Sequence, residues 1–256
     1  VSIDLLRFDA GAMRQCSRGI QACTGSASSI EAAAGAFCRF LYDELAGSAE
    51  ERACVMVRCY TTRAYGELPD ELQRYAKRAL GVVAITPPDR AMKCLALMAT
   101  VGDEEPWNDR RSSKGHQAIP LPSPHIVERA PMVAQLIQEL GFQLDEVVRR
   151  PTRAAPDLIR KTYGIFHVEE AAGSPYIPAQ EGFVQRYGIR SVLGFGGALP
   201  GGDILATILF SRVPISVATA ERFRALALEL TTWLGKLEPR VFADSSLNLD
   251  DTVVRE

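Results

Sequence analysis

Apolar positions along the 256-residue chain follow two spacings, one helical and one strand-like. Ile30, Ala33, Ala34, Phe37, Leu41 and Leu45 recur at three- and four-residue steps and predict a helix. Ser28 with Glu31 fits a capping box at its start, and Gly47 marks its end. The cleanest stripe comes last, in Phe223, Leu226, Ala227, Leu230, Trp233, Leu234 and Leu237. Between these helices, a β-branched run from Ala53 to Thr61 predicts a strand, as do the segment Lys93 to Val101 and the apolar runs Arg190 to Gly196 and Ile204 to Phe210. Alternation in the first run places Val55, Val57 and Cys59 on one face and Cys54, Met56, Arg58 and Tyr60 on the other.

Weaker signals fill the middle. Leu68 to Leu80 reads as a short helix, and His116 to Leu121 as a short strand. Pro124 to Leu140 has helical spacing with Pro131 inside it, which predicts a kink or a late start. Pro151 to Pro156 reads as a loop and Leu158 to Tyr163 as a helical turn. The organisation expected is a helical lead-in over 1–25, a domain with an enlarged central region over 26–238, and an acidic tail or linker over 239–256.

Composition narrows the classes. A hydrophobic fraction of 47% supplies ample core, and a net charge of -2 with no basic run argues against nucleic acid as a partner. No stretch reaches the ~20 apolar residues of a membrane span, and the start lacks a basic-then-apolar signal pattern. Six cysteines at spacings that suggest no framework read as buried thiols, so a cytoplasmic location is expected. A first residue of Val rather than Met fits processing or excision from a longer chain.

Catalytic signals are sparse. His116, His125 and His167 are far apart, and Cys16-x6-Cys23 and Cys54-x4-Cys59 do not match zinc spacings, so no metal is expected and haem or iron is disfavoured. Cys16 and Cys23 are the pair placed to form a disulfide. Asp103-Glu104-Glu105 and Asp109-Arg110-Arg111 read as a solvated loop, while Trp107 within it either anchors the loop to the sheet or closes a pocket. Gly194-x-Gly196 is followed by Leu199 where a dinucleotide fingerprint needs glycine, so Gly196-Gly197 and Gly201-Gly202 serve hairpin geometry.

The stretch Tyr187-Gly188-Ile189-Arg190-Ser191-Val192-Leu193, the return run after Gly201-Gly202, and Ser211 to Ala227 with Pro214 and Ser216 together resemble the GAF domain family of sensory modules. The resemblance is strong from 165 to 237, fair over 28–61 and thin over 62–164. It implies an α+β, GAF/PAS-like (profilin-like) fold, with an antiparallel sheet of about six strands and the terminal helices on one face. It also implies a small-molecule pocket against the other face, to which Trp107, His116, His167, Tyr176, Arg190 and Phe195 are assigned. Arg190 pairs there either with an anionic ligand or with Glu181. Phe223, Leu226, Leu230, Trp233 and Leu237 either cover the sheet or form the seam of a homodimer.

The function expected is signalling through the terminal helix, continued after Lys236, to an output domain such as a histidine kinase, with no catalytic residue. The cyclic-nucleotide branch carries Asn-Lys and the bilin branch Cys-His, and this chain has neither pair. The alternatives are a thiol redox enzyme similar to free methionine sulfoxide reductases, and a ligand-free dimerisation module.

Overall fold

The computed structural model describes residues 2–47, 51–82, 88–113, 115–148 and 163–243. The chain opens with β1 (Ile3–Asp4), α1 (Ala10–Thr24), α2 (Ile30–Glu44) and β2 (Leu45–Ala46), which pairs in parallel with β1. The remaining strands are β3 (Cys54–Ala64), β4 (Lys93–Gly102), β5 (Ala118–Leu121), β6 (Tyr163–Val168), β7 (Ser191–Ala198) and β8 (Ile204–Ser211). They form one antiparallel six-stranded sheet in the order β5-β4-β3-β8-β7-β6. Helix α3 (Asp70–Val82) links β3 to β4. Helices α4 (Pro124–Glu128), α5 (Pro131–Glu139) and α6 (Leu144–Val148) follow β5, and α7 (Val217–Leu234) follows β8. The architecture is therefore α+β, as expected.

Local chemistry explains the element ends. Ser29, not Ser28, caps α2: its Oγ accepts from the Ala32 N–H at 3.1 Å. Glu31 is thereby free of the reciprocal capping bond and reaches Arg110 instead. Pro131 divides the segment predicted as one helix. It sits in the first turn of α5, where its missing N–H costs nothing, while α4 ends at Glu128. Strand β6 begins at Tyr163, where a helical turn was expected; the rest of that turn, and the 151–156 loop, lie outside the described residues.

The predicted alternation in β3 fails at one end. Cys54 opposes Ser211 while Met56 opposes Phe210, so Val55 is an extra residue in a β-bulge. The bulge turns Val55 and Met56 to one face, and Cys54 joins Val57 and Cys59 on the other. Cys54 and Cys59 thus share a face rather than opposing each other.

Helices α1, α2 and α7 cover the face that holds Cys54, Val57 and Cys59. There Phe223 stacks on Phe8 with centroids 4.6 Å apart and meets Phe195 at 5.2 Å. This geometry corrects the seam assignment. Phe223, Leu226 and Leu230 are buried by their own chain, and Trp233 and Leu237 are half-buried against the same core. The stripe is intramolecular, because α7 spends it on the sheet. Nor does the helix continue past Lys236. It ends at Leu234 and closes in a 3-10 turn over Gly235–Leu237. The chain then returns to the start of α2, where Ile30 and Glu31 donate to the carbonyls of Arg240 and Val241 at 2.9 Å each.

Leu230 is 2% exposed and Leu228, on the same helix, 46%. Leu230→Glu is expected to cost more than about 4 kcal/mol, because it buries an unpaired carboxylate, and Leu228→Glu less than about 0.5 kcal/mol. Denaturant melts of the two variants check this. A folded Leu230→Glu monomer would restore the stripe to an interface role.

Candidate functional site

The opposite sheet face is covered by short pieces: α5, α6, the π-helical turn Gln180–Gln185 and the loop segments 103–113 and 115–117. Such pieces do not pack flush, and they leave a cavity of about 360 Å³. Its floor is the sheet, through Met56, Arg58 and Tyr60 of β3, Leu95 of β4, and Ile208 and Phe210 of β8. Pro131, Met132, Val133 and Leu136 of α5 form one wall. Ile177 and Phe183 form a second wall, and Trp107 and His116 close the rest.

Three local features hold these walls. Gly164 of β6 lets the end of α5 approach; a Cβ there would lie 2.0 Å from the Glu139 carbonyl oxygen and 2.2 Å from Leu140 Cα. Trp107 packs over Gly102 and meets Tyr187 at 4.9 Å and Phe183 edge-on at 5.9 Å, with Phe183 in turn edge-on to Phe210 at 5.0 Å. Trp107 therefore both anchors its loop and closes the cavity. Gly115 and His116 both take positive φ (78° and 59°), a sharp turn in which the His116 N–H donates to Tyr75 Oη at 2.6 Å.

The polar groups of the cavity are few. Arg58 is buried, donating from Nη1 to Tyr60 Oη at 3.3 Å and from Nη2 to Ser113 Oγ at 2.9 Å. Burial pushes the Tyr60 phenol up against the pull of Arg58, so it stays protonated. His116 stands at the mouth, and desolvation there together with the Arg58 charge lowers its pKa.

The other expected pocket residues lie elsewhere. His167 points to the helix side of β6, where Nε2 donates to the Ile215 carbonyl at 2.8 Å. Phe195 is fully buried on that same side against Phe223, because strand parity turns it away from the cavity. Tyr176 is exposed and touches Phe166 edge-on at 6.3 Å. Arg190 is exposed, and its main chain bridges the Ser211 carbonyl and the Ala171 N–H at 2.7 Å each; no ion pair joins it to Glu181. Trp107 and His116 are thus the two of the six that the fold brings to the cavity. Arg58 and Tyr60 went unselected, although an arginine beside Met56 and Tyr60 on an apolar strand was visible as an anomaly.

Arg110, read as a solvated charge, is buried. It reaches Glu31 through Nε and Glu71 through Nη1 at 3.1 Å, and its guanidinium lies 5.8 Å from the Phe242 ring centroid. Glu31 Oε2 also accepts from the Ala243 N–H at 2.9 Å. The loop that carries Trp107 is thereby tied to the start of α2 and to the chain beyond α7.

No group of three or more His, Cys, Asp or Glu side chains is placed to hold a metal ion among the described residues. Cys16 and Cys23 both belong to α1, one buried and one exposed, and they are not bonded to each other. Burial pushes the thiols of Cys16, Cys54, Cys59 and Cys94 up to about 12, and that of Cys38 well above its ordinary value.

No family model and no curated protein matches the chain. Among solved structures, an N-acylhomoserine-lactone-dependent LuxR-family transcription factor of Burkholderia cenocepacia aligns over 88% of this chain and 95% of that one. At 12% identity and a TM-score of 0.33, that likeness carries no weight for fold or function.

Alkylation of the native protein is expected to label Cys23 alone within minutes, since it is the one exposed thiol of the six. Mass mapping after a quench reads this out. Rapid labelling of several thiols with consumption of peroxide would instead favour thiol chemistry.

Proposed function

We propose that the chain is a GAF-type sensory domain that binds a small, largely apolar ligand and signals by conformational change rather than by catalysis. The cavity carries this reading. It is walled by apolar side chains with a few convergent polar groups, and it lies on the sheet face away from the terminal helices. The sequence resemblance to GAF domains implies an antiparallel sheet of about six strands, and a six-stranded antiparallel sheet is compatible with that assignment. No helix among the described residues is long and apolar enough to cross a membrane. An output partner such as a histidine kinase follows from the resemblance alone. The buried, high-pKa thiols speak against the redox alternative.

The signal runs through Arg110. A ligand that displaces Trp107 moves the loop whose Arg110 grips Glu31, and Glu31 in turn holds Ala243. A ligand must fit one arrangement of this loop better than the other, or it transmits nothing.

Val133 is half-buried in the cavity wall, so Val133→Trp is expected to fill the space without unfolding the chain. Wild type should bind the neutral fluorophore 1-aminonaphthalene saturably at one per chain, and the variant at least roughly tenfold more weakly, the loss of about 1.4 kcal/mol or more. Equal binding by the two proteins removes the cavity as the site. For the route, Arg110→Ala should leave the affinity within about threefold (under ~0.7 kcal/mol) yet abolish ligand-dependent protection of the Glu31 and Ala243 amides in hydrogen exchange. Retained protection would sink the route.

A further inference from the structure

Arg58 identifies the kind of ligand, given the cavity as a binding site. It lines the cavity at 6% exposure, and its two hydrogen bonds go to neutral hydroxyls, those of Tyr60 and Ser113. Its Nε is buried without a partner, and no carboxylate pairs with it among the described residues. A guanidinium does not shed its proton on burial, so its charge stays in place in an apolar wall. Thr100, opposite Arg58 across β3 and β4 and so on the same face, adds a buried hydroxyl without a partner.

We propose that the cavity takes a small amphiphilic monocarboxylate. Its head sits on Arg58 Nε with the Tyr60 hydroxyl beside it, and its apolar body runs along Val133, Leu136 and Ile208. One positive charge matches one negative charge, whereas a phosphate monoester brings about two and would leave the excess buried. A carboxylate also fits the planar guanidinium edge, which keeps three of its five N–H donors after the bonds to Tyr60 and Ser113. Size follows from the volume: at ~30 Å³ for each water-sized group, about a dozen non-hydrogen atoms fit. Decanoate has that size, and decanamide is its neutral isostere.

Calorimetric titration of the full chain tests the assignment. Decanoate should bind one per chain, at least roughly 30-fold tighter than decanamide, and Arg58→Met should remove that advantage while holding decanamide within about threefold. If Arg58→Met does not fold, the decanoate-to-decanamide ratio on wild type decides alone. A ratio under about threefold overturns the carboxylate assignment, and so does tighter binding of decyl phosphate than of decanoate. Failure of both decanoate and decanamide while 1-aminonaphthalene binds also overturns it, and leaves the cavity a site for neutral ligands. Failure of all three removes the cavity reading as well.

Discussion

A sheet whose central strands are buried on both faces needs two covers, and the difference between those covers organises this molecule. Every residue of β7 and β8, and β3 from Cys54 to Thr62, is buried. Long helices serve one face, and their aromatic contacts, Phe8 on Phe223 and Phe223 against Phe195, fill it to the core. Short helices, a π-helical turn and loops serve the other. Such pieces approach the sheet only where a small residue admits them, as Gly164 admits the end of α5. Where no such approach exists, a cavity remains. Its position is thus a consequence of which elements the chain has to spare, and its polarity follows from what β3 turns toward it.

The sequence made the helix-covered side legible and obscured the cavity side. Stripes in α2 and α7 are long enough for periodicity to decide both their existence and their buried residues, and β3, β4, β7 and β8 stand out as apolar runs of strand length. Periodicity says nothing about what a stripe meets, so a core face and a dimer seam read alike until Leu230 is seen against its own sheet. The cavity side draws on segments of four to nine residues, such as β5 and α5, where spacing carries little information. Errors of face have other causes. One extra residue at Val55 moves Cys54 across the sheet, His167 lies on β6, a strand without a sequence signal, and Phe195 takes its face from the register of β7 against β8. Trp107 was found because a bulky aromatic in a charged loop is anomalous by composition alone.

The proposed coupling between cavity and terminus rests on a loop that serves both. Residues 103–113 contribute Trp107 to the cavity and Arg110 to the ion pairs with Glu31 and Glu71. Asn108 fixes the loop between them, donating from Nδ2 to the Gly102 carbonyl at 2.9 Å and the Glu104 carbonyl at 3.0 Å. On the proposed route, displacement at Trp107 would reach Arg110 across the pin at Asn108. The segment after α7 lies at that end, bonded through Ala243 to the carboxylate that Arg110 holds. Helix α7 needs no continuation for this, since the returning chain places residues 240–243 against the start of α2.

The two buried arginines sharpen the meaning of the cavity. Arg110 and Arg58 are 5% and 6% exposed, so both have lost nearly all contact with water. Arg110 is compensated in full, by two carboxylates and an aromatic face. Arg58 has two neutral hydroxyls and an unpaired Nε. An unpaired buried charge costs several kcal/mol, a sizeable share of the 5–15 kcal/mol that holds a typical domain folded. A structural role at position 58 would be met by methionine or leucine at no such cost. Since the chain elsewhere pairs the arginine it buries, the open valence of Arg58 fits the proposal that its partner arrives with a ligand; on that reading the stability forgone without it would return as binding affinity and as bias between two loop arrangements.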